Sequence, residues 1–323
     1  MKKRKKNKKS GAGEERAKNM KQLKRKVRWI VRGVRSRINK VLLPVIGAKK
    51  LKELNARFYL HKVIDIDHPQ KLNEKILYLL YNTDTSLWTR LADKYEVRNY
   101  VREKGLEDIL IPDYGVYESF EEIDFDSLPE KYVLKATHGC DMNYICKNKA
   151  DEDFNEIHKT VKFWLNNNLA YISLELHYLK IKPRIICEKY LESEGEIIDY
   201  KLFCCNGEVR FVEVCSERSK GPYLDIYMPD WTYCKDVIIG AWNNPKELEK
   251  PKNFEQMLKI AQILSEDIPF VRVDLYEIGN KIYFGEMTFT PATGVLFHFS
   301  EKFLKEQGEL LDISGQGVNI YEE

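Results

Sequence analysis

The sequence predicts an α+β protein, in which antiparallel strand hairpins follow a largely helical N-terminal region. Two hairpins carry this prediction. Apolar strands flank the turn Asn206-Gly207, which is a strong hairpin signal, and alternating strands flank Gly279-Asn280. Helical spacing of apolar residues marks three further segments, namely 50–110, 151–180 and 254–264.

The net charge of +3 conceals an uneven distribution. Residues 1–40 contain 18 Lys and Arg against two Glu, a net charge of +16, whereas the rest of the chain carries −13. The basic stretch is not a signal peptide, and no apolar run reaches the roughly 18 residues that span a bilayer. The seven cysteines contain no C-x-x-C pair, which argues against zinc and a disulfide framework and favours reduced thiols in the cytoplasm.

Residues 1–45 are expected to form a basic arm that ends in an amphipathic helix. Between Lys24 and Leu43 the apolar residues follow one helical stripe, with Arg and Lys filling much of the rest. Such a helix suits an anionic membrane surface, at the inner face of the cell membrane. Three alternatives to membrane binding stay open: the segment could be a solubility tail, it could bind nucleic acid or the ribosome, or its helix could dock on the chain's own domain. Nucleic acid is disfavoured because Trp29 is the arm's single aromatic residue.

The remaining boundaries follow changes in pattern. Residues 46–110 are expected to form a helical region, whose last helix Gly105 stops. Residues 111–312 are expected to form the main domain, with a hinge near 188–191. Residues 313–323 are left as a C-terminal tail.

The strands around Gly279-Asn280 carry two carboxylates, Asp274 and Glu286, whose hard oxygen atoms suit Mg²⁺ held against substrate phosphates. Register decides whether they meet. A plain two-residue turn would leave Glu286 on the face opposite to Asp274. A longer loop or a β-bulge would pair Asp274 with Glu286, and it would also pair Arg272 with Thr288. We therefore predict the longer loop or a bulge; the alternative is an ordinary hairpin with a solvated polar face.

Other polar residues could complete a nucleotide site. Lys135 ends a strand before a glycine-containing loop, where its ammonium could lie near phosphates. The backbone of Glu188 to Leu191 could pair with adenine. Asp199 could accept from ribose hydroxyls, and Arg218 could contact the terminal phosphate. Each residue also has a plainer interpretation. Lys135 could be a surface lysine and Glu188 a strand-end carboxylate. Asp199 could form a salt bridge with Lys201, and Arg218 could be a solvated loop arginine.

The order of these motifs resembles the TupA-like group of the ATP-grasp superfamily over roughly residues 60–312. The resemblance implies an ATP-grasp fold, in which two α/β lobes sandwich ATP. The matching runs are Lys71-Leu-Asn-Glu-Lys75, Ala92-Asp-Lys94-Tyr95, Leu134-Lys-Ala-Thr-His-Gly139, Cys187-Glu-Lys-Tyr-Leu191, Asp199-Tyr-Lys201, Val271-Arg-Val-Asp274 and Phe284-Gly-Glu-Met-Thr-Phe-Thr-Pro291.

The resemblance also implies roles for single residues. Lys94 and Lys135 match the two lysines that grasp the nucleotide phosphates, Glu188 to Leu191 match the adenine hinge, and Asp199 matches the ribose-side acid. Thr288 departs from many ATP-grasp ligases, which have an Asn metal ligand there, although TupA-like sequences usually have this Thr. The expected metal ligands are Asp274 and Glu286, and the expected catalytic residues are Arg272, Arg218 and Lys201.

The function that the resemblance implies is an ATP-dependent carboxylate–amine ligase with one or two Mg²⁺ ions, which Mn²⁺ could replace. Its substrate would be a small-molecule or lipid-linked glycan, as in capsule or teichuronopeptide synthesis, modified with an amino acid or amine. A glycosyltransferase is one alternative, with Asp65-Ile-Asp67 and Asp124-Phe-Asp126 as its nearest metal motifs. A non-catalytic scaffold is the other, and the intact lysines and carboxylates argue against it. The sequence singles out no general base, substrate pair or oligomeric state.

Overall fold

The computed structural model describes residues 31–316, apart from residues 32, 169, 218–220 and 241. Its N-terminal part is helical, and these helices pack against the strands that follow. The first five helices are α1 (33–46), α2 (Ala48–Leu60), α3 (Leu72–Asn82), α4 (Ser86–Ala92) and α5 (Glu96–Glu103).

The first sheet is antiparallel and has four strands in the order β1-β4-β2-β3. Alternate side chains of these strands pack on Ile157, Val161 and Trp164 of α6. Together the strand and helix side chains form a small core that is separate from the larger one. The elements are β1 (Asp113–Tyr117), β2 (Tyr132–Ala136), β3 (Asn143–Cys146), α6 (Phe154–Leu165), α7 (Ala170–Ser173) and β4 (Ile185–Lys189).

The second sheet is antiparallel and has five strands in the order β7-β6-β5-β8-β9. One helix, α8, packs on β5, β6 and β8 and buries one face of the sheet in the larger core. The elements are β5 (Asp199–Cys205), β6 (Glu208–Ser216), β7 (Tyr223–Tyr227), α8 (Phe254–Ser265), β8 (Phe270–Ile278), β9 (Lys281–Thr288) and α9 (Glu301–Glu309).

This arrangement confirms the predicted α+β class with two sheet-containing lobes. The helices expected at 50–110 and 254–264 are present, and both predicted hairpins form. The helix expected from Lys24 is described from residue 31, so its first part lies outside the described residues. The boundaries predicted for the arm, the helical region, the main domain and the tail stay predictions. Within the described ranges, no helix is long and apolar enough to cross a membrane.

The contact between α9 and α3 depends on a glycine. A Cβ atom on Gly308 would lie 2.3 Å from the carbonyl oxygen of Gln70 and 2.8 Å from the amide nitrogen of Leu72, and backbone atoms cannot move aside cheaply. We expect Gly308→Ala to lower the free energy of unfolding by about 2–3 kcal/mol, measured by urea denaturation. Gly33→Ala in α1 is the matched control, because a Cβ atom on Gly33 would have no neighbour within 4 Å, and this variant should not be destabilised. Equal stability of the two variants would contradict this packing argument.

Candidate functional site

The hairpin of β8 and β9 brings the two predicted metal ligands together. Its turn is the two-residue Gly279-Asn280, yet the register shifts between Asp274 and Leu275, so that Asp274 pairs with Glu286 and not with Gly285. The predicted bulge is therefore confirmed, and Gly285 is its extra residue. A Cβ atom there would lie 3.0 Å from the carbonyl oxygen of Asp274 and 3.0 Å from the Tyr276 ring, which favours glycine.

Asp274 and Glu286 belong to a row of charged side chains across four strands. Lys201 of β5 pairs with Asp274 on one side and with Glu213 of β6 on the other. Paired residues in neighbouring strands project from the same face of a sheet. Cys204, which alternates with Lys201 on β5, contacts Ala261 of α8, so this charged row, Glu213–Lys201–Asp274–Glu286, lies on the face opposite to α8.

Asp274 is held by two cations. Its carboxylate, 2% exposed, accepts from Nε and Nη2 of Arg272, both at 2.6 Å, and from Nζ of Lys201 at 2.6 Å. Burial raises the pKa of Asp274 above its ordinary value, although the two cations oppose that rise. Lys201 also contacts Oδ2 of Asp199 at 2.7 Å. The Asp199–Lys201 salt bridge, left open by the sequence, is thus present, and the ribose contact of Asp199 stays a prediction.

Glu286 connects the two lobes through Lys94. Nζ of Lys94 donates to Oε2 of Glu286 at 2.9 Å and to the carbonyl oxygen of Gly139, in the loop after β2, at 3.2 Å. Burial raises the pKa of Glu286, but Lys94 and Arg272 outweigh it and hold this pKa well below the ordinary value. The Thr288 hydroxyl donates to Oε1 of Glu286 at 3.0 Å. The carboxylate is therefore ionised and oriented.

The first sheet contributes a second ion cluster. Nζ of Lys135 lies 2.5 Å from Oε2 of Glu188, and Nη1 of Arg98 lies 3.5 Å from Oε1 of the same carboxylate. Arg98 also pairs with Asp113 at 2.7 Å. Lys135 pairs in register with the buried Ile186, two residues before Glu188, so these three side chains share one face of the sheet. This face offers apolar surface beside a cation, as an adenine nucleotide requires.

The backbone of the predicted hinge is partly occupied. Because β4 lies between β1 and β2, Glu188 pairs with residues of both neighbours, and the amide of Lys189 donates to the carbonyl oxygen of Pro112 at 2.8 Å. The strand ends at Lys189, two residues before the predicted Leu191. Of the segment Glu188 to Leu191, only the part after Lys189 extends beyond the paired strand.

Several residues that support the site were not predicted from the sequence. The carboxylate of Glu213, at one end of the charged row, accepts a hydrogen bond from Nε2 of the His298 ring at 2.9 Å. Arg184 donates to Asp93 at 2.8 Å and so holds the turn that carries Lys94. The position of Asp93 directly before Lys94 was the one available signal for this group. The others meet their partners only through the fold.

The loop after β9 is held in a strained conformation. Ala292 and Thr293 both have positive φ, 46° and 60°, which is unfavourable for residues with a Cβ atom. The loop is tied by Lys52, whose Nζ donates to the carbonyl oxygens of Thr293 at 2.6 Å and Ser173 at 2.7 Å. Glu175 hydrogen-bonds the hydroxyl of Thr290 in the same loop. Helix α2, from the N-terminal helical part, thus positions the chain next to the charged row.

Asp274 and Glu286 suit a phosphate-bound Mg²⁺ ion. Both supply carboxylate oxygens from adjacent strands, the donor type that Mg²⁺ prefers. In the described part of the chain, no group of three or more His, Cys, Asp or Glu side chains is arranged to hold a metal. The protein would therefore supply two carboxylates, and substrate phosphates and water would supply the remaining ligands, which is usual for Mg²⁺. The number of ions stays a prediction.

Of the ten predicted site residues, one cannot be placed. Arg218 lies outside the described residues. The structure brings six of the others together around the charged row and two around the first sheet. The row group is Lys94, Lys201, Arg272, Asp274 and Glu286, with Asp199 reached through Lys201, and the sheet group is Lys135 and Glu188, with Leu191 beyond the strand end.

The two Asp-x-Asp motifs lie in turns. Oδ1 of Asp65 accepts from the amides of Asp67 and His68, and Oδ1 of Asp124 accepts from the amides of Asp126 and Ser127. Such Asx turns use the side chain to stabilise local backbone. Neither motif contributes to the charged row.

Comparison with known proteins identified one family model. The model described as TupA-like ATPgrasp matches residues 72–312. No curated protein matches the chain.

Several solved structures are similar to parts of the chain. D-alanine–D-alanine ligase from Helicobacter pylori has 15% sequence identity and a TM-score of 0.43, over 77% of this chain and 70% of that one. The Bacillus anthracis enzyme, complexed with ATP, has 13% identity and a TM-score of 0.42, over 75% and 73%. Biotin carboxylase from Campylobacter jejuni has 14% identity and a TM-score of 0.43, over 84% of this chain and 52% of that one, so the match spans about half of its length.

Proposed function

The chain belongs to the TupA-like ATP-grasp family, and from this membership we propose that it is an ATP- and Mg²⁺-dependent ligase that joins a carboxylate to an amine. The observation that carries the proposal is the pairing of Asp274 with Glu286 on one sheet face, next to Lys94 and Lys201. Cations and carboxylates packed at this density suit a substrate that is itself a metal–polyphosphate complex.

The proposed reaction has two steps. A carboxylate oxygen of the acid attacks the γ-phosphorus of ATP, the bond to the β-phosphate oxygen breaks, and an acylphosphate and ADP form. The nitrogen of the amine then attacks the acyl carbon, inorganic phosphate leaves, and the nitrogen loses a proton to give the amide. Bound Mg²⁺ would neutralise charge on the transferred phosphoryl group.

The chain's own residues would position the ATP phosphates and neutralise the negative charge that develops during the reaction. Lys94 links the glycine-containing loop after β2 to Glu286, so it lies where the two lobes meet. From there its ammonium could contact the nucleotide phosphates. Lys135 presents a second ammonium from the first sheet. Arg272 presents its guanidinium between Asp274 and Thr288, where it could stabilise negative charge on the acylphosphate and the tetrahedral oxyanion.

The substrate assignment rests on the family resemblance alone. We propose that the acid is a carboxyl group on a cell-surface glycan precursor, either free or lipid-linked, and that an amino acid or amine is joined to it in the cytoplasm. The glycosyltransferase alternative is less well supported, because both Asp-x-Asp motifs stabilise turns and lie apart from the charged row. A scaffold without activity would not require the buried charges of that row, whose desolvation is unfavourable.

The first test is isothermal titration of the full chain with a non-hydrolysable ATP analogue, with and without Mg²⁺. We expect Mg²⁺-dependent binding, and then ATP-dependent phosphate release when pairs of uronic acids and amines are screened. A UDP-sugar titration runs in parallel. Binding of the UDP-sugar without binding of the ATP analogue would overturn the ligase and support the glycosyltransferase. Binding of ATP without phosphate release for any acid–amine pair would support the scaffold.

A further inference from the structure

Helix α1 displays an apolar stripe on its outer side. The stripe consists of Val34, Ile38, Val41 and Val45, which are 52%, 46%, 68% and 75% exposed. Their spacing of four, three and four residues places them on one helix face. The described residues thus leave a row of four branched apolar side chains in contact with solvent.

The opposite side of α1 is fixed on the protein. Asn39 is 1% exposed, and its Nδ2 donates to the carbonyl oxygen of Tyr171 in α7 at 2.8 Å. Its Oδ1 accepts from Nδ2 of Asn55 in α2 at 3.2 Å. Because these buried hydrogen bonds set the rotation of α1, the stripe must face away from the domain.

Two aromatic residues of the next helix, α2, are also exposed. Phe58 and Tyr59 of α2 are 69% and 57% exposed. The guanidinium of Arg35 lies 4.6 Å from the centroid of the Tyr59 ring, which connects the two helices. The apolar stripe and Tyr59, which Arg35 connects to α1, together form what we call the docking surface.

The docking surface is flanked by positive charge. Arg37 and Lys40 are exposed on α1, and Arg35 lies on the other flank. Residues 1–40, which lead into this surface, carry a net charge of +16. Exposed apolar side chains bordered by Lys and Arg match the two layers of an anionic bilayer surface, its acyl boundary and its headgroups. A partner protein surface would need both a matching apolar groove and a large acidic rim.

We propose that the docking surface binds the protein to an anionic lipid bilayer, with the apolar stripe entering the headgroup–acyl boundary and the basic residues contacting lipid headgroups. The inference does not depend on the proposed ligase activity. Membrane binding would nevertheless affect where the proposed active site lies. Asn55 and Lys52 both face inward from α2, and Lys52 contacts the strained loop beside the charged row. Membrane binding would therefore hold the site one helix away from the lipid surface.

The test is flotation of the full chain with two kinds of vesicle, one of phosphatidylcholine and one that also contains phosphatidylglycerol. We expect binding to the anionic vesicles, weakening as NaCl is raised from about 0.1 to about 0.5 M, because salt screens the basic residues. The combined variant Val34→Gln, Ile38→Gln, Val41→Gln, Val45→Gln should lose affinity by about tenfold or more. The matched control is Ile239→Gln with Ile263→Gln, also exposed apolar residues, which should bind as the wild type does.

Three outcomes would overturn the proposal. They are equal binding to both vesicle types, full binding by the stripe variant, and a wild-type dimer that the stripe variant converts to a monomer without either protein binding vesicles. The last outcome, read by light scattering after size exclusion, would assign the stripe to a second copy of the chain. Circular dichroism of the variant shows whether its folded state is retained. None of these measurements requires ATP, so a failure here is distinct from a failure of the ligase proposal.

Discussion

Asp274→Asn is expected to lower ATP-dependent turnover about 1000-fold or more and to abolish the Mg²⁺ dependence of nucleotide binding. The carboxylate accepts from Arg272 and Lys201 at 2.6 Å, so the uncharged amide would remove a metal ligand and turn N–H donors towards cations. Removing one charge from a buried ion cluster also destabilises the folded protein, and we expect the free energy of unfolding to fall by about 3 kcal/mol. Titration calorimetry, phosphate release and urea denaturation measure the three effects.

Asp225→Asn separates loss of stability from loss of chemistry. Asp225 is a fully buried aspartate of β7, and its pairing with Val214 places it on the sheet face opposite to the charged row. Its Oδ1 accepts from the amide of Asn244 at 3.0 Å. We expect this variant to be less stable while its nucleotide binding still depends on Mg²⁺. Wild-type Mg²⁺ dependence in Asp274→Asn would refute the assignment of Asp274 as a metal ligand.

Lys52 should make the protein more stable as the pH rises above 8. Burial lowers the pKa of Lys52 from 10.5 to about 8, although Glu175 opposes the change. The unfolded chain therefore binds one more proton than the folded chain between these pH values, so the free energy of unfolding rises across that window by about 3 kcal/mol from this group. In Lys52→Met this contribution disappears, and the carbonyl oxygens of Ser173 and Thr293 lose their donor. We expect a smaller pH slope and reduced turnover.

Urea denaturation at pH 8, 9 and 10 in wild type and variant isolates the effect, because other lysines and tyrosines contribute equally to both. Lys50→Met is the matched control from the same helix, with a side chain that is 68% exposed. It should shift stability by less than about 0.5 kcal/mol and leave the pH slope unchanged. Parallel curves for wild type and Lys52→Met would show that Lys52 keeps an ordinary pKa in the folded protein.

The hairpin of β8 and β9 shows how much of the candidate site can be predicted from the sequence. The alternation of Arg272 and Asp274 on β8 and the tight turn at Gly279-Asn280 are local, so the two possible registers could be enumerated. The demand that two carboxylates share a face then selected the bulge, which the structure contains at Gly285. A chemical requirement thus resolved what local propensity left open.

The neighbouring hairpin shows the limit of the same reasoning. With the plain turn at Asn206-Gly207, Lys201 would face Val212, and a charged row of four would not form. The structure has a second bulge, between Phe203 and Cys204 in the pairing, which shifts β6 by one residue and places Glu213 beside Lys201. The sequence contained no chemical requirement that predicted this bulge, because the partner of Glu213, His298, lies in a loop 85 residues away.

The sequence by itself determined the α+β class, the helices and hairpins, the positive charge of residues 1–40 and the order of motifs that indicates an ATP-grasp protein, since these depend on local periodicity, turn chemistry and composition. The tertiary structure alone decided which charges far apart in the sequence meet. Lys94 reaches Glu286 across 192 residues, and Lys52 reaches Thr293 across 241. Local spacing carries no information on such pairs, because they form only when two lobes pack, and the low dielectric of the interior then makes each buried charge depend on a partner.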